Sequence, residues 1–372
     1  MFRTAYRFLK YDKAKSIGTV VGITLSVFLV GQQSGVFLFL TNSIINVVNS
    51  NKQYIWLVDE STTDANKTVP LDVRIGRQVT SIAGVRRVHE VVISAGSVKR
   101  LNGKTAGLSL IGVQAPTYVG LWNLEPGVSP ARLLTDGALF MDVFSENLGD
   151  VKTGETFEFN GKRVYKAGQT RGTQGLGIDY AFTTIERARS LTGFSPNKVS
   201  FFLVEAQPGA DPAAVVKRIN GSIAGVRAWT GDAFADSTFT QAVVSGGFAA
   251  TFGFLIIFAI IAGFVIIGLT LYSAANERIQ DYGTLKAIGA ANGYITRLIL
   301  LQAMLMAIIG YAIGRIFVEG FRLLLMSIGS NFSFSAWLEV GFISITLFIA
   351  LGGSLFAIRR ITSLEPASVF RR

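Results

Sequence analysis

Between two long apolar runs the chain carries a short polar stretch, residues 275–290, which reads ANERIQDYGTLKAIGA. Glu277, Arg278, Asp281 and Lys286 bring both signs of charge together, while Tyr282, Leu285 and Ile288 recur at helical spacing. These residue types suit recognition rather than bond-making. The apolar side chains would anchor a short helix in a partner's groove, and the charged ones would make polar contacts at its rim. Gly283 and Gly289 would permit close approach or a turn. A solvated amphipathic linker that only sets topology would carry the same pattern. Catalytic chemistry is not indicated: His89 is the single histidine, no Ser/His/Asp set stands out, and no pair of carboxylates lies within an apolar, span-length run. The chain has no cysteine, which excludes disulfides and thiolate metal sites.

The elements that must hold this stretch are membrane spans. Half of the 372 residues are hydrophobic and the mean hydropathy is +0.44, too apolar for an ordinary soluble domain. Four runs, residues 16–40, 246–272, 294–318 and 337–358, reach the roughly 20 residues that a helix needs to cross the hydrocarbon core. The first is too long for a signal-peptide core and lacks an A-x-A site after it, so it is expected to be retained. It holds two small-xxx-small pairs, Gly18/Gly22 and Gly31/Gly35, on nearly opposite faces, so both cannot serve one helix contact. Gln32 and Gln33 want a partner inside a bundle. Arg315 and Glu319 are expected to form an i,i+4 pair.

The net charge of +11 does not point to nucleic acid. Residues 41–240 carry 21 Lys and Arg against 18 Asp and Glu, whereas the rest carries 14 against 6. The excess therefore flanks the apolar runs, as the positive-inside rule requires of cytoplasmic segments. Both termini and the 273–293 loop are expected inside, with 319–336 and the large 41–240 segment outside. Residues 1–15, with Arg3, Arg7, Lys10, Lys13 and Lys15 beside Phe2, Tyr6 and Leu9, read either as an amphipathic helix on the inner surface or as a plain basic flank. Residues 359–372 form a basic cytoplasmic tail.

The outer segment repeats the hexapeptide SIAGVR at 81–86 and 222–227. Each copy sits in a strand–helix–strand context: 53–58, 71–82 and 85–93, then 199–205, 212–223 and 226–229. The predicted fold is thus a membrane protein with four transmembrane helices and a large extracytoplasmic α+β domain. A ferredoxin-like layer (50–98 and 197–232) carries an inserted, mostly-β subdomain (99–196). Within the insertion, strands are expected at 109–113, 138–141, 156–159 and 163–167, with a tight hairpin at Asn160-Gly161 and a helical turn at 144–148. The glycine-rich 168–177 segment, GQTRGTQGLG, lacks the GK[ST] and helix start of a phosphate cradle and reads as an exposed flexible loop able to contact a partner.

With that layout, Glu277, Arg278, Tyr282, Gly283, Leu285, Lys286, Ala287, Ile288, Gly289 and Ala290 resemble the loop between the second and third spans of FtsX-like, or MacB-type, ABC transporter permeases, which ends in GxLKAxGA. Leu364-Glu365-Pro366-Ala367 followed by Arg371 is similar to the family's C-terminal ending, and residues 136–164 resemble the inserted subdomain of its porter-plus-insertion external domain. Asp281-Tyr282-Gly283 and Leu301-Gln302-Ala303 resemble the heterocyst-glycolipid exporter permeases within it. The resemblance implies a non-catalytic permease subunit in the bacterial inner membrane, whose loop receives the strokes of an ATPase and passes them to the external domain. This chain has no Walker A sequence, so ATP and Mg would belong to a separate ATP-binding subunit. A homodimer in membrane lipid, a HlyD-like periplasmic adaptor and an outer-membrane channel are further implied, with no nucleic acid and no metal or cofactor on this chain. Two other readings stand beside it: an FtsX-like signalling protein controlling an external cell-wall hydrolase, and a non-ABC membrane anchor or sensor.

Overall fold

A computed structural model describes residues 13–99, 103, 105–145, 151–327 and 334–363. The N-terminal segment 1–12, residues 146–148 of the expected helical turn and the ending at 364–372 lie outside the described residues. The chain divides into two compact units: residues 1–38 with 250–327 and 332–372, and residues 39–249 with 328–331.

The first unit is helical. It contains the start of α1 (Lys13–Asn49), nearly all of α6 (Phe248–Glu277), and α7 (Ile279–Ala287), α8 (Asn292–Ser327) and α9 (Ala336–Thr362). Four of these, α1, α6, α8 and α9, are long and apolar enough to cross a membrane. Each runs past its expected C-terminal boundary, because nothing in the sequence breaks it: α1 continues from 40 to Asn49, α6 from 272 to Glu277, α8 from 318 to Ser327, and α9 from 358 to Thr362. At 1.5 Å per residue, the 37-residue α1 is about 55 Å long against a hydrocarbon core of about 30 Å. Its polar last turns, with Asn42, Asn46 and Asn49, need not lie in lipid.

Glycines set the close contacts of the bundle. A Cβ on Gly22 would lie 2.7 Å from Ile266 of α6, and one on Gly31 would lie 2.4 Å from Val318 of α8. The two faces of α1 therefore pack against different helices. In turn, Gly310 and Gly314 of α8 receive Ile23 and Val27 of α1.

The second unit is built on one nine-stranded sheet. Its ferredoxin-like half comprises β1 (Ile55–Asp59), α2 (Arg74–Thr80), β3 (Val85–Lys99), β10 (Phe201–Ala206), α4 (Pro212–Ser222) and β11 (Val226–Trp229). The order β11-β1-β10-β3 is antiparallel throughout, so each helix crosses over one intervening strand. A two-residue strand, β2 (Leu71–Asp72), pairs with β9 (Lys198–Val199), and the helix expected from 71 starts at Arg74 instead. After each helix Gly84 (φ 92°) or Gly225 (φ 76°) takes the left-handed conformation that returns the chain to the sheet.

The insertion supplies β4 (Thr105–Val113), β5 (Ala138–Asp142), β6 (Thr156–Phe159), β7 (Lys162–Thr170), β8 (Tyr180–Thr184) and α3 (Ile185–Thr192). It is not a separate sheet. β3 runs on to Lys99, past the expected end at 93, and pairs with both β4 and β6, so β3-β4-β8-β5-β7-β6 closes into a six-stranded barrel. Gly96 leaves the space that the Phe159 ring fills at that closure. Asn160 (φ 47°) and Gly161 (φ 77°) form the hairpin between β6 and β7. Side chains alternate between two buried clusters: Leu139 and Met141 join one, Ala138 and Phe140 the other.

Candidate functional site

The 275–290 stretch folds as a short helix with a defined break at each end. α6 stops at Glu277, Arg278 leaves helical geometry (φ −97°, ψ 22°), and α7 begins at Ile279. α7 ends in a left-handed glycine cap. Gly289 has φ 96°, its N–H donates to the Lys286 carbonyl (3.0 Å), and the Ala290 N–H donates to the Leu285 carbonyl (2.9 Å). This is a Schellman arrangement, and it gives the Gly-Ala at the end of the stretch a physical reason.

The helix has two faces. Ile279, Tyr282, Gly283 and Lys286, spaced by three and four residues, turn toward the bundle. Tyr282 is 3% exposed and shares a buried cluster with Leu298 of α8 and Ile361 of α9. Burial pushes its hydroxyl up to about 12, against the opposing effects of the Arg278 charge and a hydrogen bond with the Gln302 side chain, so the phenol stays neutral at physiological pH. Lys286 reaches the C-terminal end of α9, where its Nζ donates to the Thr362 carbonyl (2.9 Å). Beside it, Arg360 Nε donates to Asn276 Oδ1 (3.3 Å).

The opposite face is open. Gln280, Asp281, Thr284 and Ala287 are exposed, as are Glu277 before the break and Gly289 after the helix. Ile288 is 76% exposed. The expected apolar anchor of Tyr282, Leu285 and Ile288 is therefore not one surface: Tyr282 is buried, Leu285 is half-buried against the bundle core, and only Ile288 faces outward. Lys286, expected at the rim, is turned to α9, and Arg278 is half-buried. Gln280 and Thr284 belong to the open face and were not singled out from the sequence. The three- and four-residue spacing from Gln280 and Asp281 to Thr284 and Ile288 is the signal that groups them.

Two other polar groups are accounted for structurally. Arg315 donates to Glu319 (3.1 Å) as its spacing predicts, and also crosses to Glu339 of α9 (2.6 Å), which accepts from the Tyr311 hydroxyl as well (3.1 Å). Arg322 pairs with Glu319 in turn. The glycine-rich 168–177 segment is pinned rather than flexible. Thr173 N and Oγ1 donate to the buried Asp142 carboxylate (2.5 and 2.9 Å), and Asn46 Nδ2 donates to the Gly172 and Gln174 carbonyls (2.9 and 2.8 Å). Among the described residues no group of three or more His, Asp or Glu side chains converges as metal ligands would.

No curated protein matches the sequence. Two solved structures similar to it are external domains. The extracellular domain of the ABC-type transporter YknZ from Gram-positive bacteria is 14% identical, with a TM-score of 0.36, over 47% of this chain and 98% of that one. The periplasmic region of MacB from Actinobacillus actinomycetemcomitans is 9% identical, with a TM-score of 0.38, over 53% of this chain and 95% of that one. In the membrane half, residues 253–366 match the model of the FtsX-like permease C-terminal family, the family that the 275–290 residues resemble. The chain carries an FtsX-like permease C-terminal domain, and α7 lies inside it.

Proposed function

We propose that this chain is the permease subunit of an ABC-type exporter in the bacterial inner membrane, with both termini cytoplasmic. Its open α7 face receives the conformational strokes of a separate ATP-binding subunit, which holds the ATP and Mg. Two copies pair, and the strokes are passed to the extracytoplasmic domain to extract or export a substrate, with a HlyD-like adaptor and an outer-membrane channel as outer partners. The chain itself performs no chemistry. The observation that carries the reading is the outward stripe of Gln280, Asp281, Thr284 and Ile288 on a short capped helix, inside a domain of the FtsX-like permease family. An isoleucine 76% exposed among polar neighbours is what a helix-in-groove contact needs at its centre. The basic flanks of the spans support the orientation.

Co-expression with the candidate ATP-binding subunit tests the proposal. Wild type is expected to co-purify with it, and an Asp281→Lys, Ile288→Asp variant that still inserts is expected to lose it. Equal recovery of the ATP-binding subunit by both would sink the coupling assignment and return weight to a passive anchor.

A further inference from the structure

We propose that Tyr282 and Lys286 are positioning residues that bolt α7 to α8 and α9, so that force on its open face moves these two spans with it. The inference rests on the coupling reading above and adds where the force goes. α7 is joined by the chain to α6, but the Arg278 break separates the two rods, and Gly289 separates α7 from α8. Covalent connection alone would leave α7 free to swivel. Two lateral contacts oppose that.

The first is the Tyr282 ring. It is buried in the same cluster as Leu298 and Ile299 of α8, Ala357 and Ile361 of α9, and Leu271 and Ala275 of α6, and its hydroxyl is hydrogen-bonded with the Gln302 side chain of α8. A ring packed at interior density transmits displacement instead of absorbing it. The second is the Lys286 ammonium on the Thr362 carbonyl. The last four carbonyls of a helix lack intrahelical partners and form the negative end of its dipole. Lys286 therefore gives α9 a charged cap from a neighbouring helix, and a charge-assisted contact of this kind resists separation. Neither side chain shares the outward face with Asp281 and Ile288, so both can act without touching the partner.

The test uses the full chain in complex with its ATP-binding subunit, with hydrogen exchange followed with and without a non-hydrolysable ATP analogue. In wild type, nucleotide is expected to change exchange in α7 and at the inner ends of α8 and α9. Lys286→Met and Tyr282→Ala are expected to keep the ATP-binding subunit bound and to keep the change in α7, but to lose it in α9 and α8. Lys286→Arg, which retains the donor, is expected to restore it. A wild-type response of α9 in Lys286→Met would overturn the inference while leaving the coupling reading intact. Loss of the ATP-binding subunit from Lys286→Met while Lys286→Arg retains it would also overturn it, because Lys286 would then be a partner contact. Failure of wild type to bind any ATP-binding subunit would overturn both.

Discussion

His89 shows how a single buried group should make the sheet domain respond to pH. It is 5% exposed, with Nδ1 3.4 Å from Thr117 Oγ1 and Nε2 3.9 Å from Glu205 Oε2. Burial lowers its pKa below the ordinary histidine value, the Glu205 carboxylate opposes that shift, and Arg87 adds to it. The unfolded chain takes up this proton near pH 6.5, whereas the folded domain resists until a lower pH. Between those two values the unfolded state binds more protons, so stability falls as pH falls. Once corrected for the pH dependence of the intrinsic exchange rate, amide protection factors in β3 and β10 of the full chain should therefore fall from about pH 7.5 to about pH 5.5, and the His89→Gln variant should lose that part of the slope. An unchanged slope in the variant would contradict the assignment. At the same scale, α7 was only half legible from sequence. The 3.6-residue period groups Tyr282 with Lys286, and Asp281 with Ile288, but does not say which stripe faces inward. Residue type misleads here, since the inward stripe holds a lysine and the outward one an isoleucine. A tyrosine with Gln302 as its hydrogen-bond partner, and a lysine with a helix end to cap, can be buried at little cost.

Among the elements, glycine placement decides how α1 enters the bundle. A Cβ at Gly31 would stand 2.4 Å from Val318 Cγ2 and 3.3 Å from Val318 Cβ, so a larger side chain must push α8 away. Gly31→Leu should destabilise the bundle by about 1–3 kcal/mol, as overpacking does. Gly253→Leu, where nothing lies within 4 Å of the Cβ position, should not. Thermal unfolding of the two variants in the same detergent checks this, and equal losses would show that the Gly31 contact is not tight. The sequence shows that Gly18/Gly22 and Gly31/Gly35 lie on opposite faces, but it cannot name the helices they meet, because that depends on contacts far apart along the chain. Strand β8 was missed for a related reason. All five residues of Tyr180–Thr184 are buried, so no period-two alternation marks them. The Asn160-Gly161 hairpin was legible because its turn demands positive φ at both residues, which few residue types tolerate.

At the scale of the whole molecule, the division into an apolar helical unit and a sheet unit was readable from hydropathy, charge balance and the SIAGVR repeat. Barrel closure through β3 was not, since nothing local to residues 85–99 announces that one strand serves two sheet halves. In the proposed coupling, α7 meets an ATP-binding subunit through one face and the bundle through the other. The chain has no cysteine, so single cysteines can be introduced without background. The most direct measurement places a thiol-reactive photocrosslinker at Asp281→Cys, Ile288→Cys and, separately, Tyr282→Cys, in the presence of the ATP-binding subunit. Capture of that subunit is expected from positions 281 and 288, and none from 282. Capture from 282, or from none of the three, would contradict that coupling.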